Sequence, residues 1–223
     1  MRGIIFDLDG VLINSMPVHF VAWKSAFKEI ASVNVNERTV YLLEGMRGID
    51  LVKRVLELNN IDDTNLAQQV NNRKSEIFRV QSRNLPKPFI GVHELLEESK
   101  CLKSVVSGSN KEDVDPLVKQ FKNIEFDVII TADDISVGKP DPLAFITALR
   151  NMNVDKGQAI VIENAPLGID AANAAGIQSL VVLNNSPLVP RDFEGKIEKS
   201  RILKDTRSAS IQLHDWCVSP RMD

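Results

Sequence analysis

Cysteine is almost missing from this chain of 223 residues: Cys101 and Cys217 stand far apart, and neither has a histidine beside it. That pattern offers neither the spacing of a zinc site nor a disulfide framework, so two reduced thiols that serve packing are expected. Long apolar runs are missing too, and none approaches the roughly 20 residues of a membrane span. The first residues carry no charged stretch followed by an apolar run and a cleavage site, so a cytoplasmic location is expected. Charge of one sign is not in excess: 27 Lys and Arg face 30 Asp and Glu, for a net charge of -3. This argues against a nucleic acid or an anionic membrane as partner. An anionic ligand must therefore be held by local groups. No internal repeat or low-complexity segment occurs.

What the chain does hold is an ordinary globular composition, 43% hydrophobic and 26% charged. Its length suits one domain with a large insertion or two modest ones. From Ser15 to about Ala31, Phe20, Trp23, Phe27 and Ile30 recur on one helical face. Further helices are expected over 37–58, interrupted near Gly45 and Gly48, and over 64–80, carrying Leu66, Val70, Ile77 and Val80. No strand signal occurs in 16–84. Leu85-Pro86-Lys87-Pro88 closes this helical insertion with an extended connector. From Gly91 onward helices alternate with short apolar strands, the strands expected at 102–106, 126–130, 159–162 and 179–183. A short Ile202-Leu203 run and a last helix near 208–216 follow. Such alternation predicts a doubly wound, parallel α/β sheet, with ligands outside the carboxyl ends of its strands. The expected core is 1–15 with 85–223, and the expected cap is 16–84.

The strand ends are where the chemistry collects. Ile4-Ile5-Phe6 reads as a strand buried on both faces, and it stops at Asp7-Leu8-Asp9-Gly10. Side chains alternate along a strand, so Asp7 and Asp9 point the same way. A lone Asp-x-Asp usually marks a strand end and a polar turn. Here it keeps company. After Val105-Val106 comes Ser107-Gly108-Ser109-Asn110, a hydroxyl, a close-approach glycine and helix-leading amides suited to a phosphate oxygen, although Ser109 or Asn110 also fits a plain helix cap. Farther on, Gly138-Lys139-Pro140 holds an ammonium on a constrained backbone, ready for a phosphate and a neighbouring carboxylate. After Val161-Ile162 come Glu163-Asn164-Ala165-Pro166, and Glu163 with Asp7 supplies the hard oxygens that suit Mg²⁺.

These four stretches, in this order and with a helical segment after the first, resemble the four motifs of the haloacid dehalogenase superfamily. The likeness covers essentially the whole chain. Within it, Val18-His19-Phe20-Val21-Ala22-Trp23-Lys24 and Glu44-Gly45-Met46-Arg47 are similar to the branch of β-phosphoglucomutase-like proteins and small phosphatases. The resemblance implies a Rossmann-like core with an all-helical cap. It also implies roles: Asp7 as the nucleophile that forms an aspartyl-phosphate, and Asp9 as the acid and base. Mg²⁺ would be held by Asp7, the Asp9 carbonyl, Glu163 and Asn164, and the phosphate by Ser107, Gly108 and Lys139.

The chain departs from that branch at Asn164, where Asp is usual, which leaves a neutral oxygen and one less negative charge. On the cap, Arg47 is expected to select substrate and His19 to steer closure at the hinge. Arg73, Lys74 and Arg79 are weaker candidates, ordinarily a solvated helix face. The expected activity is Mg²⁺-dependent hydrolysis of a small phosphate monoester, a sugar phosphate foremost, by a monomer or weak homodimer. A β-phosphoglucomutase-like phosphoryl transfer stays open, and so does a catalytically silent metabolite-binding protein. A phosphorylated switch of the receiver-domain kind is disfavoured, because such domains are much smaller and lack a helical insertion.

Overall fold

The computed structural model describes residues 1–218. Strand β1 (Gly3–Asp7) is followed by four helices, α1 (Met16–Ala26), α2 (Glu37–Leu42), α3 (Gly48–Leu58) and α4 (Thr64–Gln81). Alternation then begins with α5 (Val92–Glu98), β2 (Leu102–Val106), α6 (Lys111–Val118), β3 (Val128–Ile130) and α7 (Leu143–Met152). It continues through β4 (Ala159–Glu163), α8 (Pro166–Ala175), β5 (Gln178–Val182), β6 (Ile202–Leu203) and α9 (Thr206–Val218). The strands are all parallel and lie in the order β3-β2-β1-β4-β5-β6. The expected α/β class and doubly wound parallel sheet are therefore what the chain forms. β1 sits between β2 and β4, so its carboxyl end opens where the strand order reverses.

The period of two in β1 divides the core. Ile4 and Phe6 pack with Val105, Ile162 and the apolar sides of α5, α6 and α9, whereas Ile5 packs with Val106, Val161 and the inner residues of α7 and α8. All five residues of β1 are buried. This two-sided burial is why the strand reads as a continuous apolar run and not as an alternating one. A third cluster is built by α1 to α4 around Trp23, Phe27, Val52, Leu56 and Val70, and it runs on into Ile169, Leu188 and Phe193 of the sheet-bearing part.

Several expected boundaries shift for local reasons. The first helix ends as a π-helical turn over Phe27–Ala31, and Ser32 follows in the left-handed region at φ 55. The 37–58 stretch breaks into α2 and α3 at Gly45, whose φ of +87 a helix cannot hold. The strand expected from Phe126 begins at Val128, because Phe126 instead packs edge-on against Phe121 with ring centroids 5.8 Å apart. The Ile202-Leu203 run is the edge strand β6.

One sequence-based expectation is overturned. Cys101 and Cys217 are not separate thiols; they are joined in a disulfide, with Cα atoms 5.8 Å apart, that ties the end of α9 to the start of β2. Their separation of 116 residues hid the pairing, which only the docking of α9 on α5 creates. Alkylation of the denatured, unreduced protein should label neither cysteine. Cys217→Ser should lower stability by roughly 2–4 kcal/mol, as expected when a long loop loses its cross-link. Labelling of both thiols in freshly purified protein would contradict the bond.

Candidate active site

Three strand ends meet at one buried charge. Lys139, on the loop between β3 and α7 and only 2% exposed, places its Nζ 2.5 Å from Asp7 Oδ1 and 2.5 Å from Glu163 Oε1. Asp7 ends β1 and Glu163 ends β4, its neighbour in the sheet. Glu163 Oε2 in turn accepts the backbone N–H groups of Asn164 at 2.9 Å and Ala165 at 3.1 Å, where α8 begins. A side chain on Gly168 would overlap this carboxylate, which explains the glycine one turn into α8. Burial opposes the Lys139 ammonium, yet Asp7 and Glu163 outweigh it and hold its pKa above the ordinary lysine value. Burial also pushes the Asp7 carboxyl up, to about 8, with Glu163 and Asp9 adding repulsion that Lys139 only partly offsets.

Asp9 lives in a different environment. Its Oδ1 accepts Ser15 Oγ–H at 2.5 Å and lies 3.1 Å from His19 Nε2, while its Oδ2 accepts Ser107 Oγ–H at 3.1 Å and Ser109 Oγ–H at 3.3 Å. Burial alone would raise its pKa, but His19, the Ser15 hydroxyl and Lys74 hold it well below the usual carboxylate range. Burial and nearby Lys74 lower the His19 pKa, so the neutral ring donates its Nε2–H to Asp9. His19 also stacks on Phe78 of α4 with ring centroids 4.1 Å apart, which joins it to the helical segment. Two carboxyls two residues apart are thus driven in opposite directions.

The loop between α2 and α3 lies over this pair. Gly108 and Gly138 have no side chain because the loop occupies the space: a Cβ on Gly108 would lie 2.7 Å from the Met46 carbonyl oxygen, and one on Gly138 would lie 2.6 Å from the Arg47 nitrogen. Gly45 rests on the Lys139 stem, where a Cβ would come within 2.5 Å of Cδ. Beneath the loop lies a cavity of about 60 Å³, lined by Asp7, Asp9, His19, Glu44, Lys74 and Gly108 among others. That is room for a handful of waters. A wider cleft of about 670 Å³ borders Gly10 and Asn164 on the hinge side but touches neither Asp7 nor Asp9.

Asp7, Asp9, Ser107, Gly108, Lys139, Glu163 and Asn164 thus gather at adjoining strand ends, with His19 beside them. Arg47 is placed elsewhere: its guanidinium donates to the Ser136 carbonyl, and it is not among the cavity-lining residues. Arg73 lies outside the cavity in exposed ion pairs with Glu29 and Glu76, and Arg79 pairs with Glu112 and Asp113 of α6. Lys74 departs from the solvated-face expectation. It is 6% exposed, with Nζ 5.1 Å from the Trp23 ring and 4.6 Å from the Phe78 ring, and it faces the cavity. Two further contributors escaped the sequence reading as site residues. Ser15 carries no spacing signal, and Glu44 is visible only as the residue before the Gly45 break.

A bound cation is tested by the donors themselves. Among the described residues no three His, Cys, Asp or Glu side chains form a ready metal cluster. Lys139 already occupies Asp7 Oδ1 and Glu163 Oε1. Yet Asp7 Oδ2, Asn164 Oδ1 and Glu44 Oε1 are buried without a hydrogen-bond partner, and all are hard oxygens. Burial, then Asp7, Glu163 and Asp9, push the Glu44 carboxyl well above its ordinary value. Such unpaired oxygens amid excess negative charge fit a divalent cation of the Mg²⁺ kind.

With that geometry in place, the relatives can be ranged beside it. The haloacid dehalogenase-like hydrolase family matches residues 4–182. The chain belongs to this family. It is 27% identical over 186 residues to a phosphorylated carbohydrates phosphatase of Thermotoga maritima, covering 81% of this chain and 84% of that one. It is also 27% identical over 228 residues to β-phosphoglucomutase of Bacillus subtilis, covering 97% and 96%. A crystal structure of β-phosphoglucomutase from Clostridium difficile superposes with a TM-score of 0.80 at 22% identity, covering 96% of each chain. At that identity the match speaks for the fold. The superfamily resemblance read from the four motifs is the family found.

Two measurements follow from the charges and the seam. Because folding raises the Asp7 pKa from near 4 to about 8, the folded protein keeps a proton that the unfolded chain releases, and stability falls as pH rises through that window. In EDTA, Asp7→Asn should therefore raise Tm at pH 8.5 relative to its effect at pH 5, by several degrees. An equal effect at both pH values would refute the charge assignment. Gly108→Ala should leave the circular dichroism spectrum unchanged but speed amide exchange in 44–48, since its Cβ would push the loop off the core.

Proposed function

We propose that this protein is a Mg²⁺-dependent phosphohydrolase of small phosphate monoesters, sugar phosphates foremost, working through an aspartyl-phosphate on Asp7. The observation that carries this reading is the split between the two acids. Lys139 fixes one Asp7 oxygen and leaves the other without a partner, while Asp9 is wrapped in hydroxyl and imidazole donors. A nucleophile and a proton carrier need such separate environments. Two relatives, a phosphorylated carbohydrates phosphatase of Thermotoga maritima and a fructose-1-phosphate phosphatase of Escherichia coli, support the substrate class.

In this reading the phosphoryl group enters between Asp7 and the Ser107 to Ser109 turn, and Ser107 Oγ with neighbouring amides holds its oxygens. Asp7 attacks phosphorus as the bond to the leaving oxygen breaks, and Asp9 delivers a proton to that oxygen. Asp9 then takes a proton from water as the water attacks the aspartyl-phosphate, releasing phosphate and restoring Asp7. A cation held by Asp7, the Asp9 carbonyl, Glu163 and Asn164 would supply charge neutralisation for the transferring group. Lys139 neutralises part of the same charge from the protein side. The helical segment 16–84 acts as a cap that opens for substrate, because a cavity of about 60 Å³ is too small for a sugar phosphate. Lys74, a buried ammonium in the cap face, is suited to a hydroxyl or a second anionic group of the substrate.

The second reading, a β-phosphoglucomutase-like transfer, draws on the B. subtilis relative. It needs a firm clamp for a distal phosphate, and the expected clamp, Arg47, is engaged with the Ser136 carbonyl. Phosphate release should be measured with Mg²⁺ and with EDTA over a panel of sugar phosphates that includes β-glucose 1-phosphate, beside Asp7→Asn. The expected outcome is metal-dependent release that falls about 10⁴-fold or more in the variant. Glucose 6-phosphate accumulating with little free phosphate would establish the mutase reading, and binding without turnover would establish the silent one.

A further inference from the structure

Where the branch it resembles has an Asp after the Glu of the last motif, this chain has Asn164, and the structure brings a carboxylate to that residue from the cap. Glu44, on the turn between α2 and α3, is 8% exposed and lines the cavity with Asp7 and Asp9. Its Oε2 accepts the Asn164 Nδ2–H at 2.7 Å. Its Oε1 is buried with no partner, and the same is true of Asn164 Oδ1 and Asp7 Oδ2.

We infer that Glu44 is a cap-borne ligand of the divalent cation, supplying from the cap the carboxylate that position 164 lacks, so that the cation site is complete only when the cap is closed. The inference rests on the cation-dependent reading above. Glu44 and Asn164 require each other. An amide can donate to Glu44 and hold it in place while keeping its own oxygen free, whereas an Asp at 164 would set two carboxylates against each other at this distance. A further carboxylate beside Asp7, Asp9 and Glu163, with Lys139 as the nearest ammonium, is repelled by them unless something positive joins the group. Backbone geometry fixes the approach: the Gly45 and Met46 carbonyls lie against Gly108, and Gly45 lies against the Lys139 stem, on either side of the Glu44 entry point. Cation binding and cap closure then favour each other by the same factor, as linkage demands. A chain with Asp at 164 and no acid at 44 would hold its cation with the cap open or shut.

The test is Mn²⁺ affinity by electron paramagnetic resonance titration of the wild type, Glu44→Gln, Asn164→Asp and the double variant. Amide exchange of 44–48 in the wild type, with and without Mn²⁺, goes with it. Gln keeps the shape of Glu and can still accept from Asn164, so the cap contact survives while the charge is lost. Glu44→Gln should weaken Mn²⁺ binding about tenfold or more, and adding Asn164→Asp should restore most of it. Asn164→Asp alone should speed exchange in 44–48 without metal. In the wild type, Mn²⁺ should slow exchange there. Equal Mn²⁺ affinity in wild type and Glu44→Gln would overturn this inference and leave the phosphohydrolase reading standing. Unchanged exchange in the wild type at saturating Mn²⁺ would do the same, whatever the variants' stability. Failure of the wild type to bind Mn²⁺ at all would overturn both.

Discussion

The buried ammonium of Lys139 is the constraint on which the rest of the site depends. It lies 5.1 Å from the ring of Phe145, inside the cluster on the α7 and α8 side of the sheet, and it bridges the ends of two neighbouring strands. Taking it from water is tolerable only because the acidic side chains of Asp7 and Glu163 meet it at 2.5 Å each. Those carboxylates then cannot move without stranding a charge. This fixes the spacing of Asp7 and Glu163 more firmly than backbone pairing would. It also leaves the site short of positive charge, since Asp9 and Glu44 stand in the same cavity and the remaining nearby ammonium, Lys74, belongs to the cap.

The cap contact answers a second constraint, close approach of backbone to backbone. Three glycines from three loops, Gly45, Gly108 and Gly138, lie where the cap loop crosses the core, and a methyl group on any of them would collide with a main-chain atom or the Lys139 stem. The seam is thus shape-matched, over a cavity of about 60 Å³. In the proposed reaction, opening of 16–84 must be cheap enough to admit ligand. The contacts across the seam fit that need, because they include exposed ion pairs such as Arg79 with Glu112, which contribute little individually.

Much of the fold was legible because burial on both faces writes itself into short apolar runs, as at Ile4-Ile5-Phe6 and Ile160-Val161-Ile162. The ends of those runs located Asp7, Ser107 and Glu163, since parallel sheets gather function at strand ends. Lys139 was legible from its setting between a glycine and a proline. What stayed hidden was created by contacts across the chain. Ser15 reaches Asp9 through the turn after β1, Lys74 is buried by Trp23 and Phe78, and Glu44 meets Asn164 across 120 residues. No local spacing encodes any of these. The Cys101 to Cys217 bond was hidden in the same way, and a guanidinium beside a glycine turn, as at Arg47, looks the same in sequence whether it faces a ligand or a carbonyl.

The two acids also show why the resting site must change before it works. The hydroxyls of Ser107 and Ser109 are spent on Asp9, whose pKa His19, Ser15 and Lys74 hold well below the usual carboxylate range. An ionised Asp9 cannot protonate a leaving oxygen. A phosphate entering the site competes for the same hydroxyls, and its own negative charge comes to lie beside the carboxylate. Both changes push the Asp9 pKa upward, the first by removing hydrogen bonds that favour the charged form and the second by repulsion. The Ser15 and His19 contacts come from the other side and remain, so the carboxyl keeps its orientation while its proton affinity rises. In the proposed reaction the substrate therefore creates the acid that it needs, and the empty site, with its donors satisfied internally, holds the base.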